Sequence, residues 1–462
     1  MDPVNDPQII DVAAVVDKQK VGAFVISVVV LSFLVTLSDG YNLQATAFAG
    51  PGIIRDWHLN RAALGPVFSG GLFGMLFGAP LFGYMGDQFG RRAAIIVAML
   101  VYGVCTLASA SVGSLTALMT LRFIAGVGLG GLLPNVVALT AEFMPKRVRA
   151  TMMILVFMGV TLGGAIPAVV MATLVPTFGW QALFVVGGGA GILLAAVVYF
   201  AMPESIKFLV LHGVQRSEVA RLARSMSPGL AIGTEAEFRL PQGPGATRSP
   251  FKLLFADGMQ WITPVVWVLF FTDLMANYFL SSWMPTLLQD FGLSVDQIAM
   301  TASMFYFGGI AGGLVAGVLL DKWGVGTIGL LFVVGCPAVA LIGVHGLSFA
   351  VLLGAVFMSG FSVLGVQIGL NAVTGLIYPT AVRSNGNGWA SAVGRVGGII
   401  GPILGGWLLA INLPMQQLFL MPLIPLGIGA AASFLLMRLC FVRFGGYRID
   451  ERATPAGARP AQ

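Results

Sequence analysis

Charge is what this sequence has least of. Lys, Arg, Asp and Glu make up 10% of its 462 residues, against roughly 25% in a soluble globular chain. A chain of this length with so few charges cannot cover a water-exposed surface. That scarcity excludes a soluble enzyme, a disordered protein and a nucleic-acid binder. Cysteine is almost as rare. Cys105, Cys336 and Cys440 each lie in an apolar run, so no disulfide framework is implied. Only His58, His212 and His345 supply imidazole, and they are scattered. No metal-ligand set, no nucleophile–base constellation and no phosphate-binding Gly-x-x-x-x-Gly-Lys-Ser/Thr loop occurs. No cofactor is expected. A basic start followed by a short apolar core is also lacking. Asp2, Asp6, Asp11, Asp17, Lys18 and Lys20 make the first 20 residues a polar leader.

What remains is apolar. Hydrophobic residues are 57% of the chain and the mean hydropathy is +0.91. Twelve spans of about 20 apolar residues fit that supply. They are placed at 21–48, 62–84, 93–111, 114–141, 150–174, 181–201, 259–287, 297–320, 326–344, 347–376, 385–410 and 415–440. The runs are continuous rather than alternating, which argues against a membrane β-barrel. The fold class is therefore an all-α membrane protein of two six-helix bundles, 21–201 and 259–440. Residues 1–20, the linker 202–258 and the tail 441–462 flank them. The linker carries seven Lys/Arg and the stretch Pro241, Gly243, Pro244, Gly245. Its first part, 203–226, reads as an amphipathic surface helix. With the N-terminus in the cytoplasm, 21 of the 25 Lys/Arg fall on cytoplasmic segments, so both termini are expected inside a plasma (inner) membrane.

A shift of 234 residues superposes the landmarks of the two halves. Asp39 meets Asp273, Asp56 meets Asp290 and Asp87 meets Asp321. Gly74, Gly78, Gly126 and Gly163 meet Gly308, Gly312, Gly360 and Gly397. Duplicated bundles of this kind suit alternating access, with a site near the midplane between them.

The motifs make the resemblance specific. Gly83-Tyr-Met-Gly-Asp87-Gln-Phe-Gly90-Arg91-Arg92 resembles the signature loop of the major facilitator superfamily, and Gly317 to Gly324 echoes it. Arg122 to Gly131 resembles the superfamily's helix-4 motif, and Pro203-Glu204-Ser205 also fits. Asp39-Gly40-Tyr41-Asn42-Leu43-Gln44, with Leu133-Pro134-Asn135, resembles the aromatic acid:proton symporters. That family has a second Asp where this chain has Asn42, a departure that bears on stoichiometry and substrate range. The resemblance implies proton-coupled import of a benzoate- or hydroxybenzoate-type carboxylate, by a protein that functions as a monomer. A symporter of a non-aromatic organic anion, and a facilitator or exporter, are the alternatives. It also implies that Asp87 stabilises an outward-facing state.

Residue roles follow from chemistry. Asp39, Arg122, Asp273 and Arg395 are charges inside predicted spans, each costly if unpaired in lipid. The repeat matches the two acids, whereas Arg122 maps to Val356 and Arg395 to Thr161. The fold thus does not require either arginine in both halves. Arg395 is the candidate contact for a substrate carboxylate, which a guanidinium binds bidentately. Asp39, paired with Arg122 when deprotonated, is the candidate proton carrier, with Asp273 its counterpart. Asn42, Gln44, Asn135, Asn277, Gln367, Asn371 and Ser391 are the polar candidates for the substrate cavity. Asp87, Arg91, Arg92, Asp321, and Glu142 with Arg149, are read as gate latches.

Overall fold

A computed structural model describes residues 9–212, 216–227, 237–240, 251–256, 258–289, 291–344, 346–379, 382–411 and 413–444. Asp290, the Pro/Gly stretch of the linker and the tail beyond 444 lie outside the described residues. Twelve helices make the two bundles. The first six are α1 (Ala23–Trp57), α2 (Leu64–Phe89), α3 (Arg91–Ala108), α4 (Leu115–Phe143), α5 (Lys146–Thr173) and α6 (Gln181–Ala201). The second six are α7 (Ile262–Gln289), α8 (Val295–Trp323), α9 (Gly326–Ile342), α10 (Phe349–Ile377), α11 (Arg383–Ala410) and α12 (Leu423–Phe444). Among the described residues eleven helices are long and apolar enough to cross a bilayer, and α9 is a shorter apolar helix of 17 residues.

Two boundaries differ from expectation. The first span is expected at 21–48, yet α1 continues through Gly50, Pro51 and Gly52 to Trp57 and stops at His58 in the left-handed region, φ 51°. The extra turns are held from outside. Trp57 packs edge-on against Trp180 at 5.6 Å, and the Trp180 indole donates to Asp56 at 3.0 Å. The expected last span is broken, with a short helix Met415–Leu420 preceding α12.

The 234-residue repeat is exact at the level of backbone contacts. A Cβ on Gly74 would collide with the carbonyl oxygen of Phe123, and one on Gly308 with that of Phe357. Gly78 meets Val127 and Gly312 meets Phe361. Gly126 meets Gly71 and Gly360 meets Phe305. Gly163 meets Leu37 and Gly397 meets Phe271. In each pair the partner residues are also 234 apart. Helices α2 and α4, and α8 and α10, therefore touch backbone to backbone, as do α1 with α5 and α7 with α11.

The halves meet along α1–α7, α2–α11 and α5–α8. At the end away from the linker the seam is tight. The Phe68 and Trp283 rings pack edge to face at 5.2 Å. Ser69 donates to the Ile399 carbonyl at 2.8 Å, and Gly65 lies against Pro402 and Gly406.

At the linker end the N-terminal segment forms a strap. Strand β1 (Ile9–Asp11) pairs in parallel with β2 (Glu237–Arg239) of the linker. Asp11 caps the short helix Val12–Lys18. Val12 and Val16 are buried in one cluster with Val219, Leu222 and Met226 of the linker helix Arg216–Met226. The apolar face of that amphipathic helix is thus covered by protein. Gln19 donates to the Phe143 carbonyl at 2.6 Å, and Arg147 donates to the Gln19 carbonyl at 2.6 Å. Asp17 accepts from the Lys146 side chain at 2.8 Å and its backbone N–H at 3.2 Å. The Lys146 hydrogen bonds hold the Asp17 carboxyl below the usual carboxylate range.

A lowered carboxyl pKa contributes stability above the ordinary carboxylate pKa and loses it as pH falls through the lowered value. Asp17→Asn should therefore speed amide exchange across 9–19 and 216–226 at neutral pH, with rates normalised for intrinsic exchange. The difference from the parent should vanish in acid. Equal protection at pH 7 would show that Asp17 does not tie the strap.

Candidate functional site

Polar groups in the middle of α1 build the site. Asp39 is buried, 2% exposed, and its Oδ1 has no hydrogen-bond partner. One turn on, Asn42 donates its amide to the Ser38 carbonyl at 2.9 Å and the Gly187 carbonyl at 3.4 Å. Another turn on, Thr46 accepts from Arg122 Nη1 at 3.4 Å. Arg122 is 4% exposed. Its Nη2 donates to Ser109 at 3.1 Å, and its guanidinium lies over the Phe184 ring at 4.8 Å. Its Nε has no partner. A stacked, hydrogen-bonded guanidinium is a fixed cation, at far lower cost than a free one in an apolar setting.

A cavity opens beside it between α1, α2, α4 and α7. Asn42, Thr46, Arg122, Tyr278 and Ser282 supply its polar wall; Val67, Phe68, Leu72, Ala125 and Leu129 supply most of the rest. Phe68 belongs both to this wall and to the seam with Trp283. The cavity is about 30 Å³, room for water rather than for an organic anion. Its lining, one fixed cation with a few hydroxyl and amide groups among apolar walls, is of the kind that pairs with an anion carrying an apolar body.

The expected pairing of Asp39 with Arg122 does not occur. Arg122 donates instead to Thr46 and Ser109. Arg395 does not border the cavity around Arg122. Asp273 is fully buried, and neither carboxylate oxygen has a partner. Asn277 and Gln367 do come together, at 3.0 Å. Asn371 is exposed and donates back to the Gln367 carbonyl at 2.8 Å. Ser391 is half-buried on α11, and Gln44 is buried outside the cavity.

Asn135 needs correction. It faces α2 rather than the cavity, donating to the Phe82 carbonyl at 3.0 Å and the Gly131 carbonyl at 2.8 Å. Its Oδ1 accepts from Arg91 at 3.2 Å, and Arg91 also pairs with Asp87. Asn135 is thus part of the linker-end network. The Glu142–Arg149 latch is corrected too. Glu142 accepts from Ser205, and Arg149 donates to the Met144 carbonyl at 2.9 Å. The turn at Pro145 separates the two side chains. Arg92 donates through its backbone N–H to Glu204 at 3.0 Å and through its side chain to the Tyr199 carbonyl. Glu204, half of this clamp, had only the Pro203-Glu204-Ser205 motif to announce it. Asp321 is exposed at the end of α8. Thr46 shares the face of Asp39 and Asn42 by helical spacing, but no local signal marks Ser109, Phe184 or Phe68.

Comparison with known proteins decides the family. The Major Facilitator Superfamily model matches residues 32–288 and 266–443. The chain belongs to that superfamily. It is similar to the 4-hydroxybenzoate transporter PcaK of Acinetobacter baylyi, 33% identical over 92% of this chain and 94% of that one. It is 31% identical to the gallate transporter of Pseudomonas putida, over 99% of both chains. Among solved structures it resembles a bacterial homolog of the human lysosomal transporter Spinster, inward-facing and unoccupied. The TM-score is 0.71 at 15% identity, covering 94% of this chain and 100% of that one. The superfamily's members are transporters, so the reading as a transporter rather than an enzyme stands on this match.

Gly90 is the sharpest test of the linker-end network. Its φ is +101°, and a Cβ there would collide with the Glu204 carboxylate. Gly90→Ala should cost about 1–3 kcal/mol and lower the melting temperature in detergent. Gly83→Ala, in a helix with open space around it, should be neutral or stabilising by up to about 1 kcal/mol. Equal effects of the two substitutions would refute the clamp.

Proposed function

We propose that the chain imports an aromatic carboxylate together with protons, by alternating access. The observation that carries this is the fixed Arg122 guanidinium on the wall of a largely apolar cavity at the seam between the halves. The relatives named for 4-hydroxybenzoate and gallate support the substrate class. The basic residues support an orientation with both termini and the linker in the cytoplasm. The tight seam at Phe68 and Trp283 is then the outer gate, and it is shut.

The roles of the two arginines change from those their positions in the sequence suggested. Arg122 anchors the substrate carboxylate. Arg395 answers Asp39 across the halves. Deprotonated, Asp39 holds that link; a proton on Asp39 releases it, so proton and anion move as one load. Asp273 is a second carrier. A buried carboxylate with neither oxygen partnered costs several kcal/mol when ionised, and a proton removes that cost. Asp87, Arg91, Arg92 and Asn135 hold the linker end of the first bundle, with Asp321 their counterpart in the second.

Uptake of labelled 4-hydroxybenzoate into right-side-out vesicles should rise steeply under an inward proton gradient. Asp39→Asn should abolish that accumulation and leave exchange of internal for external substrate. Full accumulation by the variant would sink the assignment of Asp39. Uptake blind to the gradient would make the protein a facilitator. The orientation has its own check. A cysteine placed at Asn60 should react with impermeant reagent in intact cells, and one placed at Leu240 should not; the reverse pattern overturns it.

A further inference from the structure

We infer that residues 251–261, where the chain enters the second bundle, lie on the membrane surface as an interfacial anchor whose partner is the phospholipid headgroup layer. The inference does not depend on what the protein transports.

A ruler for the bilayer stands on α11. Trp389, Val396, Ile400, Ile403 and Trp407 are all exposed. Their spacings of 7, 4, 3 and 4 residues put them on one stripe of the helix. The residues of α11 that meet the first half, Ile399, Pro402 and Gly406, lie on a different face. In a membrane helix an exposed apolar stripe turned away from the protein seam faces lipid. A tryptophan closes this stripe at each end. The two stand 18 residues apart on the one helix, about 27 Å along its axis, against a hydrocarbon core about 30 Å thick. Tryptophan is favoured at both rims of that core. Trp389 therefore marks the membrane surface at the linker end.

The entry segment is built onto that mark. Phe251 packs edge-on against Trp389 at 5.0 Å, and Phe255 against Trp267 of α7 at 5.7 Å. The 3-10 helix Phe251–Phe255 buries Leu254, whose carbonyl accepts from the Thr263 hydroxyl at 2.6 Å. At Gly258, φ +77°, the Arg443 guanidinium of α12 lies where a Cβ would reach. These contacts fix the backbone, yet Phe251, Leu253 and Trp261 stay exposed, Trp261 at 67%. Lys252 is exposed among them. Large apolar side chains held open on a fixed backbone are costly in water. At the headgroup level the rings and the leucine reach the acyl boundary, and the lysine meets phosphate. The other end of the linker differs. Helix Arg216–Met226 has its apolar face covered by Val12 and Val16 of the strap. One end of the linker is thus bound to protein, and the other to the bilayer.

The test uses the full-length protein in phospholipid nanodiscs, with Cys105, Cys336 and Cys440 replaced by alanine and one nitroxide attached through Leu253→Cys. Ser217→Cys, on the exposed side of the linker helix, is the control in water. At 253, oxygen should relax the label better than a water-soluble nickel complex does, at a depth of about 5–10 Å. At 217 the nickel complex should be the better relaxer. Nickel access at 253 equal to that at 217 overturns the inference. So does spectral broadening at 253 that vanishes on dilution with unlabelled protein, because a second copy would then be the partner. If the alanine background does not fold, brominated lipids serve with the native cysteines in place. Bromines near the headgroup should quench a smaller fraction of the tryptophan fluorescence in Trp261→Phe than in the parent. An unchanged fraction in that variant also overturns the inference.

Discussion

In hydrocarbon there is no water to expel, so helices associate by packing and polar contact alone. Close approach of backbones therefore decides which helices move together. Here the approach is set by missing side chains. Gly74, Gly78 and Gly126 let α2 and α4 touch, Gly163 lets α5 lie on α1, and four glycines 234 residues later do the same in the second half. A single methyl at any of them would meet a carbonyl oxygen, and a carbonyl in a helix has nowhere to go. Each half is consequently locked internally. The seam between halves has fewer such contacts. Its joints are rings, hydroxyls and a few glycines, such as Phe68 with Trp283, Ser69 with Ile399, and Gly164 beside Tyr306. The seam is therefore the boundary least locked by backbone contact.

The in-membrane charges show how that seam differs from the packed interiors. Arg122 is satisfied within its own half by Thr46, Ser109 and Phe184. Asp39 has no hydrogen bond at Oδ1. Asp273 has no partner at either oxygen. The repeat copied the acids and not the bases, so the two halves place different charges in the membrane. An exact duplication would give two equivalent sets. This chain keeps its fixed, hydrogen-bonded cation in the first half alone.

Much of this was legible in the sequence because the membrane imposes simple rules. Span length, glycine register and the 234-residue offset each report a constraint that acts along the chain; the structure keeps the last two, and redraws the first and last spans. The side-chain assignments fared less evenly. Helical spacing gives a face but not the neighbour opposite it. Asn135 therefore looked like a cavity residue, although its face is turned to α2. Glu142 and Arg149 looked like a latch between two spans, but across the turn at Pro145 they take different partners, Ser205 and the Met144 carbonyl. Asp39 had two arginines to choose between, and only the three-dimensional arrangement shows that Arg122 is already occupied. The strap was invisible for another reason. Two strands of three residues, 9–11 and 237–239, pair across the entire sequence of the first bundle, and no local pattern announces such a partner.

The site's polar residues and its outer seal share one line of contact. From the middle of α1 outward come Asp39, then Asn42, then Thr46 with Arg122. Phe68 of α2 closes the cavity wall and touches Trp283 of α7. Trp283 is held in turn by its indole N–H on the Pro402 carbonyl of α11 at 3.1 Å. One turn before that stretch, Ile399 takes the Ser69 hydroxyl; one turn earlier still stands Arg395. Arg395 and the carbonyls that anchor the seal are thus successive turns of the same helix. A shift of α11 that moves Arg395 must also displace Ile399 and Pro402, because the helix between them is continuous. On the proposed mechanism, loading the cavity and loosening the seal are coupled by that rigid element rather than by a chain of side-chain contacts. The element is α11, the helix whose arginine the repeat did not copy.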